Sequence, residues 1–124
     1  MMSQQRTHRY ISRGEVWDVE LSPSQGAEIA KTRPCVVISH DQIGKLPLRV
    51  VVPVTSWKDS YSRAIWMVKL EPTTTNGLDK VSAADAFQIR SVSINRFRTR
   101  REVLSNRDLA DITAAVGIVI NIGV

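Results

Sequence analysis

The chain has few of the residues from which disulfides, metal sites and histidine chemistry are built. Its 124 residues include one cysteine and two histidines, His8 and His40. An internal disulfide is therefore impossible, and no cysteine or histidine pair has the spacing of a structural zinc site. Cys35 lies in an apolar run and is expected to be a small buried hydrophobe rather than a nucleophile. We expect no metal and no two-histidine mechanism, so any catalysis would use Arg, Ser, Thr, Asp, Glu or backbone groups.

Long apolar stretches are also missing. No apolar run approaches 18 residues and the polar N-terminus has no signal-peptide pattern, so we expect no membrane contact and place the protein in the cytoplasm. The content of 43% hydrophobic and 23% charged residues is ordinary for a soluble globular chain. The net charge of +5 and the isoelectric point near 9.9 are typical of domains that meet nucleic acid, with a solvated basic surface as the alternative.

The hydrophobic pattern predicts one domain of short strands. Residues 1–12 are polar and unpatterned and are assigned to a flexible tail, which leaves 13–124 as a single domain. Pro53 indicates an edge or a bulge in the strand that contains it. Residues 81–87 are compatible with a strand or a short helix. Five stretches have the pattern of strands: 17–21, 35–38, 48–55, 64–70 and 88–92.

A helix is predicted to follow the strands. Ser105 and Asp108 have the spacing of an N-terminal capping arrangement, and Leu109, Ile112 and Val116 follow helical spacing. No residue from 114 to 120 is charged, so the helix is expected to be buried on more than one side or shared with a partner subunit. Five or six strands and one helix predict a mostly β, α+β fold, with the helix packed against a small antiparallel barrel.

Arg33 and Thr55 are the strongest candidates for chemistry, on geometric grounds. Arg33 enters one predicted strand and Thr55 leaves the next, so the two meet if these strands are antiparallel neighbours. A guanidinium beside a hydroxyl would grip a phosphate and stabilise charge that develops on it. The alternative is a surface ion pair for Arg33 and a strand cap for Thr55. Because surface arginines are common, the pattern alone favours this alternative.

Two other stretches could contact nucleic acid. Trp57 could stack on a base while Lys58 or Arg63 holds a phosphate, although Trp57 could equally cover the edge of the barrel. Between Arg90 and Arg101 there are five arginines and no acidic residue. This predicts a basic face that is either solvated or in contact with nucleic acid.

The order and spacing of several short motifs resemble the MazF/PemK (Kid) family of toxin endoribonucleases. Each motif is weak alone, but together they cover about residues 13–122 and favour chemistry over the structural interpretation of Arg33 and Thr55. The motifs are Arg13-Gly14-Glu15-Val16-Trp17, Pro23, Gly26-x-Glu28, Thr32-Arg33-Pro34-Cys35-Val36-Val37-Ile38, Val52-Pro53-Val54-Thr55-Ser56 and Asp85-x-x-Gln88-Ile89-Arg90-Ser91-Val92, followed by the closing helix.

The resemblance implies a homodimeric SH3-like barrel of the CcdB/MazF/Kid type that cuts single-stranded RNA without a metal or cofactor. Attack by a ribose 2′-hydroxyl would leave a 2′,3′-cyclic phosphate and a 5′-hydroxyl. Arg33 would stabilise the phosphorane, and Thr55 would orient the phosphate. The candidates for RNA contacts are then Lys31, Ser56, Trp57, Lys58, Arg63, Gln88 and Arg90.

Departures from the family pattern leave the general base open. Some members have a His before the loop Glu, where this chain has Ala27. Some have a carboxylate directly before the Gln and an Arg two positions before that carboxylate, where this chain has Phe87 and Asp85. Asp85 and Glu28 are the candidates for the base, and Glu28 is equally a candidate for a structural anchor of its loop.

The resemblance also implies a partner protein. Toxins of this family are held inactive by a cognate antitoxin with a disordered acidic tail, and a basic groove would suit such a partner. Contact with DNA is expected only through that antitoxin. The same fold could instead serve a CcdB-like toxin that binds and poisons a DNA topoisomerase, or a basic RNA-binding barrel. Neither alternative requires Arg33 and Thr55 together.

Overall fold

The computed structural model describes residues 11–122, which form seven strands and one α-helix. The predicted flexible tail lies outside these residues for positions 1–10. Three short 3₁₀ turns, Asp59–Arg63, Ala86–Gln88 and Ile94–Arg96, connect the elements. The elements are β1 (Glu15–Glu20), β2 (Thr32–Val37), β3 (Leu48–Ser56), β4 (Met67–Leu70), β5 (Ser82–Asp85), β6 (Arg90–Ser93), β7 (Phe97–Val103) and α1 (Asn106–Val119).

Five of the strands form a small barrel. β1, β2 and β3 are antiparallel neighbours, and Val36 of β2 pairs with Val16 on one side and Val52 on the other. β6 pairs with β3, β7 pairs with β1, and the turn Ile94–Arg96 joins β6 directly to β7. The prediction of a mostly β, antiparallel SH3-like fold with a C-terminal helix is confirmed.

Two hydrophobic clusters occupy opposite faces of the central strands. One fills the barrel and includes Cys35 and the edge-to-face pair of Trp17 and Phe97, whose ring centroids are 5.7 Å apart. The other lies between the sheet and α1 and includes Val36 and Ile112. Burial on both faces explains why these strands are continuous apolar runs. Ile11 also packs into the barrel, so the packed chain includes a residue that the sequence pattern assigned to the tail.

Pro53 lies in a central strand, so the prediction of an edge is wrong and the prediction of an irregularity is confirmed. β3 pairs with β5 from Val54 and with β6 up to Val51. β3 advances by three residues between Val51 and Val54, whereas the segment that pairs with it advances by six, from Ala84 to Arg90. The extra residues form the turn Ala86–Gln88, which interrupts the ladder beside a proline that has no N–H to donate.

The structure differs from the predicted elements in two further segments. Residues 81–87 divide into β5 and the start of the following 3₁₀ turn. The hydrophobic pattern missed β7, because within this strand only Phe97 is buried and the arginines that follow it are polar.

The helix begins as predicted but is buried on one side only. The Ser105 hydroxyl accepts a hydrogen bond from the Asp108 N–H at 3.1 Å, which is the predicted N-cap. Ile112 and Ala115 are buried against the sheet, whereas Ile118 is 51% exposed. The prediction of burial on more than one side is therefore wrong within a single protomer.

Candidate active site

Arg33 and Thr55 lie at facing positions on adjacent strands. β2 and β3 are antiparallel with Cys35 opposite Pro53, and the same register continued by two residues brings Arg33 opposite Thr55. Both side chains line one small cavity of about 140 Å³, called here the Arg33 cavity. Its polar lining comes from Arg33, Thr55, Ser56, Lys80 and Ser82, and its apolar wall from Pro34 and Val54. The predicted meeting of the two strand ends is confirmed.

In the described part of the chain both cations of this cavity, Arg33 and Lys80, are free, whereas most of the other arginines have partners. Within residues 11–122, the Arg33 guanidinium and the Lys80 ammonium form no hydrogen bond or ion pair. No carboxylate lines the Arg33 cavity in the described part of the chain. A ready anion site of this kind would bind a phosphate group. Lys80 and Ser82 are the cavity residues that the sequence did not single out, because they follow a turn in a segment without clear periodicity.

Glu28 acts within its own loop. Its Oε1 accepts a hydrogen bond from the Gln25 N–H at 2.6 Å, and the Glu28 N–H donates to the Gln25 carbonyl at 3.0 Å. Glu28 lines a second, wider cavity of about 430 Å³ together with Phe87, Gln88 and Arg90. Of the two roles that the sequence left open for Glu28, general base or anchor of its loop, the geometry favours the anchor.

Gln88 connects the β5–β6 segment to the loop between β1 and β2. Its Oε1 accepts from the Ile29 N–H at 2.7 Å, and its Nε2 donates to the Ala27 carbonyl at 3.0 Å. The Gln88 amide therefore forms the two hydrogen bonds that a neighbouring backbone segment would otherwise form with the loop that leads to Arg33. This long-range contact has no signature in sequence spacing.

Removal of this contact should loosen the loop. In Gln88→Ala we expect at least tenfold faster hydrogen exchange of the Ile29 amide and a loss of about 1 kcal/mol in unfolding free energy, because two hydrogen bonds are lost. Exchange measured by NMR checks the amide, with Gln42→Ala as the exposed control. Unchanged protection of Ile29 would show that Gln88 does not hold the loop.

Asp85 is buried and lies outside the Arg33 cavity. It is 6% exposed, and its Oδ1 accepts from the Phe87 N–H at 3.1 Å, which caps the 3₁₀ turn. Burial raises the pKa of the Asp85 carboxyl, and hydrogen bonds from Phe87 and Gln88 oppose this effect only in part. Neither candidate for the general base therefore lines the cavity that contains Arg33 and Thr55.

The raised pKa predicts a pH-dependent effect of Asp85→Asn on stability. Between the ordinary value of 3.8 and the higher folded value, the unfolded chain loses its proton first, so the carboxyl destabilises the fold as the pH rises. An Asn keeps an acceptor for the Phe87 N–H and carries no charge. We expect a higher Tm than wild type at pH 7 and a difference that disappears below pH 3.8, measured by thermal melts. A constant difference at every pH would exclude this origin.

The other candidates for RNA contacts differ in how far they are engaged within the protein. Trp57 follows β3 and packs edge to face on Tyr61 with centroids 5.9 Å apart, while the Lys69 ammonium lies 5.1 Å from its ring centroid. Lys58 and Arg63 are exposed beside it. Lys31, at the end of the β1–β2 loop, is exposed and has a φ of 65°. Trp57 is thus partly engaged within the protein, and the two cations are accessible.

The arginines from 90 to 101 brace the fold rather than form a free basic face. Arg90 reaches the Ser24 hydroxyl at 3.5 Å, and Arg96 donates to the Glu20 and Ser22 carbonyls at 3.1 and 2.5 Å. Arg98 donates to the Asn95 carbonyl. Arg100 pairs with Glu15 at 2.9 Å, and Arg101 pairs with Asp18 at 2.7 Å.

Residues 11–122 contain neither a metal-ligand cluster nor a membrane-spanning helix. This part of the chain contains no group of three or more His, Cys, Asp or Glu side chains that could hold a metal ion. Its helix is too short and insufficiently apolar to cross a membrane.

Comparison with known proteins gives consistent matches over most of the chain. Residues 12–120 match the family described as PemK-like, MazF-like toxin of type II toxin-antitoxin system. The chain is 34% identical over 112 residues to endoribonuclease MazF9 of Mycobacterium tuberculosis, covering 86% of this chain and 92% of that protein. It is 30% identical over 108 residues to endoribonuclease MazF of Staphylococcus saprophyticus, covering 87% and 89%.

Solved structures that share the fold include two toxins of this kind. MazF from Deinococcus radiodurans has a TM-score of 0.74 at 24% identity and covers 89% of this chain and 96% of that one. An endoribonuclease in complex with its cognate antitoxin, from a mycobacterial species, has a TM-score of 0.72 at 14% identity and covers 91% and 97%.

Proposed function

The chain belongs to the PemK-like, MazF-like toxin family of type II toxin–antitoxin systems, and from this premise we propose that it is a toxin that cuts single-stranded RNA without a metal. The observation that supports the proposal most strongly is the Arg33 cavity, in which, among residues 11–122, free cations and hydroxyls meet without a carboxylate. The relatives in Mycobacterium tuberculosis and Staphylococcus saprophyticus are both named endoribonucleases.

The proposed reaction is an internal transfer at one phosphodiester. The ribose 2′-oxygen forms a bond to phosphorus as the bond to the 5′-oxygen breaks, and the 2′-hydroxyl proton is released as the leaving oxygen takes one up. The products are a 2′,3′-cyclic phosphate and a 5′-hydroxyl. Arg33 stabilises charge on the phosphorane, and Thr55 orients the phosphate. Because an arginine side chain is effectively always protonated, the role of Arg33 is electrostatic rather than that of a proton carrier.

A carboxylate base is not part of this proposal. Glu28 is held by the Gln25 amide, and Asp85 is buried beneath the 3₁₀ turn. The cavity therefore acts mainly by stabilising the charged phosphorane, in surroundings made less polar by Pro34 and Val54. Lys31, Ser56, Trp57, Lys58, Arg63, Gln88 and Arg90 remain the proposed contacts along the RNA.

Incubation of the purified protein with a long RNA in excess EDTA tests the function. We expect discrete cuts at a short recurring sequence, with cyclic phosphate ends that cannot be ligated through a 3′-hydroxyl until the phosphate has been removed. Uncut RNA would contradict the proposal and favour a CcdB-like poison of a DNA topoisomerase or a non-catalytic RNA-binding barrel. Cutting that starts only when a divalent metal is added would contradict the metal-independent chemistry.

The proposed assembly is a cytoplasmic homodimer inhibited by a cognate antitoxin. One face of α1 lines a groove of about 800 Å³ that includes Ala114, Gly117 and Ile118. This apolar face is open within the protomer, which supports its burial against a second copy. The antitoxin would contribute a disordered acidic tail that covers the basic RNA site, and any contact with DNA would be made by the antitoxin.

A further inference from the structure

We propose that Lys80 is a second catalytic cation of the Arg33 cavity, where it contacts the scissile phosphate and stabilises the phosphorane. The inference rests on the proposed RNA cleavage. It assigns a role to a residue outside the motifs by which the family was identified.

The size and lining of the cavity point to a small anion. Sites for drug-sized molecules usually enclose roughly 300–1,000 Å³, whereas this cavity measures about 140 Å³. It therefore suits a phosphate group better than a whole nucleotide. Lys80 is one of its two cations, and Thr55 and Ser56 supply two hydroxyls.

Within the described residues, 11–122, the charge of Lys80 is uncompensated. Its ammonium has no partner within residues 11–122, whereas the nearby Lys69 lies over Trp57 and 3.9 Å from Glu71. The acidic residue that precedes Lys80, Asp79, is directed to Arg101 at 3.4 Å. Two free cations at one cavity repel each other, and an anion bound between them would remove this repulsion.

The backbone holds Lys80 at the edge of the cavity. Lys80 directly precedes Val81 and β5, and its carbonyl accepts from the Ser82 hydroxyl at 2.8 Å. The Val81 carbonyl accepts from the Trp57 N–H at 3.2 Å, and Ser56 pairs with Ser82 in the sheet. The flexible side chain thus extends from a backbone that is tied to the strand carrying Thr55.

A second cation matters more for the transition state than for binding. A phosphodiester carries one negative charge, whereas the phosphorane formed by the attacking 2′-oxygen carries two. A guanidinium compensates one of these charges and an ammonium the other, so their combined effect is greatest when the second charge develops. Lys80 is therefore expected to raise the rate of bond breaking more than the affinity for RNA.

The test uses Lys80→Cys in the full chain. We expect single-turnover cleavage of a short RNA to fall about 10–100-fold, while the Kd for an analogue with a 2′-O-methyl group at the cut site changes less than threefold. Alkylation of the introduced thiol with 2-bromoethylamine rebuilds a lysine-like ammonium and should restore the rate to within about threefold of wild type. Iodoacetamide, which adds a neutral group, should not.

The chain is suited to this chemical rescue. Cys35 is its one natural cysteine, and burial raises the pKa of that thiol well above the ordinary value, so it stays unreactive. Lys80 is exposed, so the substitution should leave the fold intact, which circular dichroism checks. Lys45→Cys, at an exposed loop position away from the site, is the matched control for both reagents.

Three results would overturn the inference. They are cleavage by Lys80→Cys within threefold of wild type, a loss confined to the Kd, and no recovery after complete aminoethylation proved by mass spectrometry. Failure of the wild-type protein to cut RNA would instead refute the proposed function, so the two outcomes are distinguishable.

Discussion

Arg33→Ala is expected to lower the rate of RNA cleavage about a thousandfold or more and to leave the fold unchanged. Loss of a preorganised charge at a phosphoryl-transfer site has effects of this size. Stability should stay within about 0.5 kcal/mol of wild type, because Arg33 is exposed and its side chain has no partner within residues 11–122. Single-turnover cleavage and a thermal melt on the same preparation separate the two effects.

Two further variants make the result specific. Arg107→Ala removes an exposed arginine near the start of α1, away from the cavity, and should cut at the wild-type rate. Arg33→Lys keeps the charge without the planar fork of donors and should lie between wild type and Arg33→Ala. If Arg33→Ala cut within threefold of wild type, the Arg33 cavity would not be the active site.

Gly77→Ala is expected to lower the free energy of unfolding by about 2–5 kcal/mol. Gly77 has a φ of 68°, and a Cβ there would lie 2.9 Å from the Arg101 Cβ and 3.1 Å from the Arg101 carbonyl carbon. The left-handed conformation costs roughly 1–2 kcal/mol for alanine, and overpacking against the β7 backbone costs about 1–3 kcal/mol more. The clash also disturbs the Arg101 side chain, which donates to the Gly77 carbonyl at 2.9 Å.

Gly44→Ala is the matched control for this effect. Its φ of 65° is nearly the same, but nothing lies within 4 Å of an added Cβ. The control should lose only about 1–2 kcal/mol, the conformational part. Equal losses in the two variants, measured by urea unfolding, would show that close packing of the 72–78 turn against β7 does not contribute to stability.

The sequence was most informative where hydrophobic pattern and rigid geometry coincide. The apolar runs around Cys35 and Val52 predicted two buried strands, and their ends then placed Arg33 near Thr55 without knowledge of the fold. The helix N-cap at Ser105 was likewise predicted from residues that are close in sequence. Each inference depends on neighbours in sequence or on one hairpin, so a single pattern was enough to make it.

The rest depends on contacts between distant parts of the chain. The sequence placed Arg101 in a basic face, but its guanidinium pairs with Asp18 across the β1–β7 pair. This ion pair distinguishes a structural arginine from a free one. Gln88 was singled out only as a candidate for RNA contact, and the sequence did not reveal that its amide also holds the β1–β2 loop. Lys80 reaches the cavity only because β5 pairs with the end of β3. None of these pairings has a periodic signature in the sequence.

The central claim is that Arg33 and its cavity promote attack by a ribose 2′-hydroxyl without a metal. The most direct test compares two RNA oligonucleotides in excess EDTA, identical except for one 2′-deoxy substitution at the nucleotide that provides the attacking oxygen. We expect the wild-type protein to cut the all-ribose strand to a 2′,3′-cyclic phosphate and to leave the substituted strand intact. Cleavage of the substituted strand at the same position would contradict the central claim.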